Sequence, residues 1–489
     1  MGSTVGVEEL IGLDATGQAE LVSRREVSAL ELMEAAAARL EAVNSTLNAV
    51  IHPNLDGARE RAGGLVAGGA FRGVPFVVKD LIAHAAGEPF HEGVRALADA
   101  GFREDRDTSL VQMFDAAGLV TVGRTNTSEL GLLPTTEPLS YGPTRNPWDL
   151  SRSPLGSGGG SAVAVAAGIV PLAHSNDGGG SIRLPASACG LIGLKPTRGR
   201  VSLGPDFGEL VSGTISEFAI TRSVRDTSAL LGAVSVPQVG EPYAPASPTR
   251  VPARPLRIGI MTSAPRGESR VHPACRAAVE VTAAALDELG FVVEAAYPRA
   301  LDDAGFAVEA PKIMPLGFAA FAFDWWRRRI GIEFGPDDVE AWTWICAKRG
   351  RGLSAVDYLG AVEYVQAWTR RLSRWWHDRY DLLLTPTVGE PPPPLGSFAA
   401  PDTGRRAAQV TAFTYPFNLS GQPAISLPCH IDSGLPIGVQ LVSAHGNEQL
   451  LLQVSAELER AMTWTTQDLP FDLRGHREAV QGSSDSAAG

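Results

Sequence analysis

The sequence predicts an α/β protein: one large mixed β-sheet sandwiched between α-helices in a single domain. Two observations predict it. Helix-like and strand-like segments alternate, as in "TSLVQMFDAAGLVTVGRTN" and again in "PLRIGI", "HPACRAAVEVTAAALDELG" and "FVVEAA", the unit expected of an α/β sheet. Strand-like runs also continue on both sides of the proline-rich stretch 237–255, which favours one continuous sheet over two independent domains. The 489 residues leave room for one large domain or about two to four average ones.

Each element has its own signal. "SALELMEAAAARLEAVN" reads as a helix with Ser28 as cap, Glu31 completing a capping box, and Leu32, Ala36, Leu40 and Val43 on one face. "VPFVVKD", Val74–Asp80, is a short apolar run after Gly73 and reads as a buried strand. The helix at 272–290 has Pro273 near its start and Gly290 past its end. "DLLLTP" and "PAISLP" are further buried strands, and "GNEQLLLQVSAELERAM" is a closing helix. Six prolines at 237, 242, 245, 248, 252 and 255 predict a surface loop. "EPPPPLGSFAAPDTGRR" predicts a second exposed loop, and "QGSSDSAAG" a flexible tail.

The net charge of −12 argues against nucleic acid or an anionic membrane as partner, since both would repel the chain. Arg327, Arg328 and Arg329 read as a solvated helix end. Cys189, Cys275, Cys346 and Cys429 are widely separated and form no CxxC pair, which fits reduced thiols in a cytoplasmic protein better than disulfides or zinc. The N-terminus has no basic region followed by an apolar one, so no secretory signal is expected. Apolar runs such as Ala162–Leu172 are too short to span a bilayer.

Residues 156–200 read "GSGGGSAVAVAAGIVPLAHSNDGGGSIRLPASACGLIGLKPTRGR", with two glycine clusters, each carrying a serine. Repeated glycine marks a loop or a backbone that must closely approach something. Neither cluster matches a P-loop or a dinucleotide turn. The alternative is acyl transfer. The amides of Gly178, Gly179, Gly180 and Ser181 could converge on a developing oxyanion, where each donor is worth roughly 2.7–4 kcal/mol. Ser181 would be the nucleophile and needs a base. His174 is the nearest histidine and reads as a local hydrogen-bonding residue; there is no nucleophile elbow. Lys79 ends the apolar run "VPFVV", where loss of hydration would lower its pKa and let it act as a neutral base. Ser157 could pass the proton between them. Cys189 reads as a core residue, and Trp325, Trp326, Trp375 and Trp376 as core or interface. No HExxH-type spacing suggests a metal, and none is expected.

These stretches resemble the amidase signature family of Ser–cis-Ser–Lys hydrolases. "VPFVVKDLI", "RTNTSELG", "GPTRNPWDLSRSPLGSGGGSAVAVAAG", "NDGGGSIRLPASACGLIGLKPTRGRV" and "FNLSGQPAISLP…GLPIGVQLV" carry the resemblance in order along the chain. It implies a mixed sheet of about a dozen strands between helices. The lysine, bridging serine and nucleophile fall on Lys79, Ser157 and Ser181. Oxyanion donors fall on Gly178, Gly179, Gly180 and Ser181, and the supporting pair on Asp177 and Arg183. Two departures stand out. Leu155 and Gly158 replace a glycine and the second serine of the usual GGSSGG core, with loss of that serine's hydrogen bond. Gly178 replaces a bulkier residue, which is expected to widen or loosen the oxyanion loop.

Further segments, "LLPTTEPLSYGPTRNPWDLSRS", "LAHSNDGGGSIRLPAS" and "GPDDVEAWTW", most resemble the 6-aminohexanoate-cyclic-dimer hydrolase group. That implies cleavage of linear or cyclic aliphatic amides, without a cofactor. Aryl-acylamidase, carbamate hydrolase and esterase activities stay open, as do a glutaminase subunit of a tRNA-dependent amidotransferase and an inert scaffold. The organisation expected is an N-terminal helical segment over 1–60, a catalytic domain over 61–475 and a tail over 476–489. Within the domain, a helical region at 300–380 would build the substrate pocket. Ile313–Trp326 would wall it, with Thr135, Met314 and Pro315 touching substrate. A small-molecule amide is the expected partner and a homodimer the expected assembly.

Overall fold

The computed structural model describes residues 6–65, 68–243, 255–267, 269–399 and 401–464. The tail 476–489 and the stretch 244–254 of the proline-rich loop lie outside the described residues.

Eleven strands form one mixed sheet. They are β1 (Val50–Pro53), β2 (Pro75–Lys79), β3 (Val120–Thr125), β4 (Leu172–Asp177), β5 (Ile192–Lys195) and β6 (Ser216–Thr221), followed by β7 (Arg257–Ile260), β8 (Val292–Ala295), β9 (Leu382–Pro386), β10 (Ala424–Asp432) and β11 (Leu435–Ser443). The order across the sheet is β1-β3-β2-β4-β6-β5-β10-β11-β9-β7-β8. The sheet therefore runs without a break from one side of the proline-rich stretch to the other, as expected. Within residues 1–60 the chain is not helical throughout: β1 pairs antiparallel with β3 at the sheet edge. Its Val50 side chain is buried, so this segment is part of the same core.

The elements obey local rules. Ser28 accepts from the Glu31 amide while the Glu31 carboxylate accepts from the Ser28 amide, closing the capping box of helix Ala29–Leu47. Leu32, Leu40 and Val43 of that helix are buried. Pro273 opens helix Pro273–Glu288, capped by His272. Helix Gly159–Ala166 is built of small residues and every one is buried, which lets it cross the middle of the molecule against β4, β2 and β6.

Two surface expectations need correction. Pro392, Pro393 and Phe398 of the second proline loop are buried. The Pro393 carbonyl accepts from the Ser153 amide, and Phe398 packs with Leu155 and Leu184, so this loop buttresses the stretch ahead of Ser157. Arg329 is not solvated: it makes a bidentate pair with buried Glu104 at 2.8 and 2.7 Å, while Arg327 and Arg328 pair with Asp324. The helical run Ala304–Ile330 has the length and apolarity of a membrane span. It is interrupted at Met314, where φ is −139° and ψ 125°, and it packs Phe306, Phe318, Phe323 and Trp326 into an apolar cluster with helices Ala341–Arg351 and Ala355–Asp378. Trp326 and Trp376 are core residues and Trp325 and Trp375 are half-buried. All four cysteines are free and buried.

Candidate active site

β2 and β4 are parallel neighbours, so their C-terminal ends, Lys79 and Asp177, open on the same edge of the sheet. Crevices at such strand ends are the usual ligand sites of α/β folds.

Lys79 is fully buried. Its Nζ donates to Ser157 Oγ at 2.7 Å and to Asn176 Oδ1 at 2.6 Å. Burial is the main influence on this amine and lowers its pKa to about 7, against the opposing pull of Glu217, Asp177 and Glu92. The Lys79 amide donates to His174 Nδ1 at 3.2 Å. His174 Nε2 therefore carries the hydrogen and faces the Glu217 carboxylate. His174 is a local hydrogen-bonding residue, fixing the strand end that carries the lysine. Asn176 Nδ2 donates to the Leu81 carbonyl at 2.9 Å and to Glu217 Oε1 at 3.3 Å, which turns Oδ1 toward the lysine.

Ser157 follows a cis peptide from Gly156. Thr136 Oγ1 lies 3.0 Å from the Leu155 carbonyl and 3.2 Å from the Ser157 carbonyl, and accepts from the Gly159 amide. Thr135, expected to touch substrate, has its hydroxyl engaged with Glu137 and Ser153 at 2.5 and 2.9 Å. A Cβ at Gly156 would meet the Thr135 carbonyl at 2.2 Å. Thr135 thus braces the Ser157 loop from behind.

Ser181 is 9% exposed. Its carbonyl accepts from the Gly158 amide at 3.2 Å and from Ser175 Oγ at 3.3 Å. The Ser175 hydroxyl fills the space left by the missing side chain at 158: a Cβ there would come within 2.1 Å of it. The Asp177 carboxylate accepts from Arg183 Nε at 2.9 Å and Nη2 at 2.8 Å, and from Asn418 Nδ2 at 2.8 Å. Burial raises its pKa, but the Arg183 charge and these bonds outweigh that and hold it at about 2. Arg183 also reaches the Thr414 carbonyl, Gln440 and Asn418, so this pair anchors the loop that carries Ser181 to the C-terminal half.

One expected donor is otherwise employed. The Gly180 amide donates to Asp177 Oδ1 at 2.7 Å, and Gly180 has φ of 137°, open only to glycine. Its N–H is spent on the loop. Among the described residues the amides of Gly178, Gly179 and Ser181 donate to no protein acceptor. The loop is not widened at Gly178, because Ile215 Cγ1 and Met314 Cε stand 3.3 and 3.4 Å from where a Cβ would be. Met314 thus borders the site, and Tyr415 OH fixes its carbonyl at 2.8 Å. Pro315, joined to it by a cis peptide, is half-buried one residue further. Phe318, Phe321 and Trp325 of the same helix line a cleft of about 680 Å³ with Phe207, Leu210 and Tyr358.

The structure brings Lys79 and Ser157 into direct contact, but no hydrogen bond joins the Ser157 and Ser181 hydroxyls among the described residues. Asn176, Glu217, Ser175 and Asn418 were missed by sequence reasoning. Among the described residues the one metal-like group is His52, Asp80 and His91. Its carboxylate is paired with Arg124 at 3.1 Å and its imidazoles are bridged by Tyr141.

Residues 31–452 match the Amidase family model. The chain is 43% identical over 471 residues to 6-aminohexanoate-cyclic-dimer hydrolase of Paenarthrobacter ureafaciens, covering 92% of this chain and 95% of that one. It is 42% identical, over the same shares, to the protein of that name from Pseudomonas sp. strain NK87. A solved structure of 6-aminohexanoate cyclic dimer hydrolase superposes with a TM-score of 0.89 at 42% identity, covering 93% of this chain and 98% of that chain. A family match over most of the length, with relatives this similar from end to end, establishes that the chain belongs to the amidase family.

Proposed function

We propose that this chain is a serine amidohydrolase that opens cyclic or linear 6-aminohexanoate amides through an acyl-enzyme. The observation that carries the chemistry is the 2.7 Å contact between buried Lys79 Nζ and Ser157 Oγ, beside the backbone of Ser181. The substrate class is supported by the two curated relatives at 43% and 42% identity.

Neutral Lys79 accepts the Ser157 proton as Ser157 takes that of Ser181, and Ser181 Oγ bonds to the amide carbon. The Ser157–Ser181 step closes when substrate is bound, since catalytic hydrogen bonds are commonly long in free enzymes. The amides of Gly178, Gly179 and Ser181 hold the oxyanion. The C–N bond breaks as the proton returns through Ser157 to the leaving nitrogen. Water then attacks the ester carbon, giving one proton to the same relay. The bond from Ser181 Oγ to that carbon breaks as the relay returns the proton to Oγ, and the acid departs from the regenerated serine. Met314, beside Gly178, borders the acyl side. Four buried free cysteines support a reducing, cytoplasmic setting.

The test is a hydrolysis panel of the cyclic dimer, linear dimer, an anilide, a carbamate and a primary amide, with Ser181→Ala as control. Cleavage of the cyclic or linear aminohexanoates, lost in the variant together with fluorophosphonate labelling, is expected. Turnover of the anilide or carbamate alone would overturn the substrate assignment. Activity that survives Ser181→Ala would overturn the mechanism.

A further inference from the structure

We propose that Asn176 is a positioning residue that aims the lone pair of neutral Lys79 at Ser157. The inference rests on the proposed role of Lys79 as base. A neutral primary amine has two hydrogens and one lone pair, and only the lone pair can accept the Ser157 proton. Two oxygens stand within hydrogen-bond distance of Nζ, Asn176 Oδ1 at 2.6 Å and Ser157 Oγ at 2.7 Å. They differ in what they can do. A serine hydroxyl either donates or accepts, so by itself it leaves the amine free to turn either way. An amide oxygen only accepts.

Asn176 cannot exchange its oxygen for its nitrogen, because Nδ2 is held by the Leu81 carbonyl at 2.9 Å and Glu217 Oε1 at 3.3 Å, both acceptors. Asn176 Oδ1 therefore engages one N–H of Lys79. With that hydrogen fixed, the lone pair can be turned to the hydroxyl. When the proton arrives, the ammonium keeps the Asn176 bond and returns the same proton to Ser157. No other reactant enters, and the proton count balances over the two half-reactions.

The charges facing Lys79 come from separate elements. Glu217 lies on β6, Asp177 on β4 and Glu92 on the segment after β2, while the Arg124 guanidinium on β3 donates to the Lys79 carbonyl at 3.0 Å. His174 meets only the backbone amide of the lysine. Asn176 is thus an uncharged acceptor among acids, which can orient the amine without trapping a proton on it.

The test compares Asn176→Thr with Asn176→Val, two β-branched side chains of nearly the same shape, of which one offers an oxygen. The threonine hydroxyl can give its one hydrogen to the Leu81 carbonyl or Glu217, which only accept, and so leave its oxygen to accept from Nζ. Valine offers neither, and thermal melting of both variants separates a loss of structure from loss of the acceptor. The plateau kcat of the Thr variant should exceed that of Val by at least about tenfold, within the range of a general-base contribution. The acid limb of the Val profile should also lie at lower pH, since its ammonium has lost an acceptor. KM should change little between them. Equal plateaus with equal limbs would overturn the proposal. If the branched pair does not fold, Asn176→Ser against Asn176→Ala poses the same comparison with the same two outcomes. A wild-type profile without an acid limb would instead refute Lys79 as the base, a failure of the earlier reading that the variant pair does not share.

Discussion

Replacing Gly158 by alanine tests how tightly Ser181, the proposed nucleophile, is held. The new Cβ would lie 2.1 Å from Ser175 Oγ and 2.6 Å from the Ser181 carbonyl oxygen. Ordinary non-bonded contact is ~3.5 Å, so the two approaches are short by about 1.4 and 0.9 Å. The Ser175 side chain can rotate away, at the cost of its bond to the Ser181 carbonyl. The carbonyl cannot yield so easily, because it belongs to Ser181 itself and accepts from the Gly158 amide at 3.2 Å. Overpacking of a close-packed interior costs ~1–3 kcal/mol. A displacement of the reacting group by about 1 Å costs ~10²-fold in rate, equivalent to roughly 2.7 kcal/mol of transition-state stabilisation.

Gly158→Ala should therefore lower the melting temperature and cut kcat/KM for the amide substrate by ~10²-fold. Adding Ser175→Gly removes the 2.1 Å contact but leaves the 2.6 Å one. The double variant should regain part of the stability and little of the rate. The assay is thermal melting alongside steady-state hydrolysis for the wild type, Gly158→Ala, Ser175→Gly and the pair. A Gly158→Ala enzyme within twofold of the wild-type rate would refute the claim that the glycine is there to admit the Ser175 hydroxyl and the Ser181 backbone.

Three further outcomes follow from the same coordinates. The proposed mechanism uses Lys79 in its neutral form, and burial lowers its pKa to about 7. The kcat/KM should thus rise through neutrality to an alkaline plateau, and a profile flat from pH 5 to pH 9 would count against it. Asp177→Asn leaves the Arg183 guanidinium buried without its carboxylate; breaking such a pair from one side costs ~3–5 kcal/mol, read as a lower chemical-denaturation midpoint. Lys195 is fully buried, donates among the described residues only to the Pro196 carbonyl at 2.8 Å, and is likewise lowered by burial to about 7. As pH falls from ~10.4, the unfolded lysine takes up a proton that the folded one refuses. The resulting penalty is complete near pH 7 and absent above ~10.4. Lys195→Met should then stabilise more at pH 7 than at pH 9.5, and a gain independent of pH would contradict this.

The legible parts of the site were those whose chemistry is local in the chain. Lys79, Ser157 and Ser181 each sit in a motif, and the Asp177–Arg183 pair spans six residues. The illegible parts depend on partners far away. Asn176 lies in "LAHSND", which has no apolar alternation to mark it as a strand. β4 can be polar and buried because β6 supplies Glu217, and Asn418 arrives from the C-terminal half. A run of three glycines likewise does not say which amide faces outward. That depends on the carboxylate of Asp177, which captures the Gly180 N–H. The proline loop at 391–398 looks solvent-exposed in composition, yet Pro393 takes the Ser153 amide as a partner, and that bond exists only once the two halves are packed.

β4 shows why these pieces function as a unit. Side chains alternate between the two faces of a strand, and the last four residues of β4 divide accordingly. His174 and Asn176 both engage Lys79 and both rest on Glu217. Ser175 and Asp177 both engage the nucleophile loop, at the Ser181 carbonyl and the Gly180 amide. One face thus holds Lys79, the proposed base, and the other the loop of Ser181, the proposed nucleophile, with the strand backbone fixing the separation between them. A one-residue slip would exchange the faces, presenting the Asp177 carboxylate to the lysine and Asn176 to Arg183. The amine would then keep its proton beside an anion, and the arginine would be buried without one. The polarity of this strand is therefore what sets its register, and through the register it sets the geometry of the proposed proton transfer.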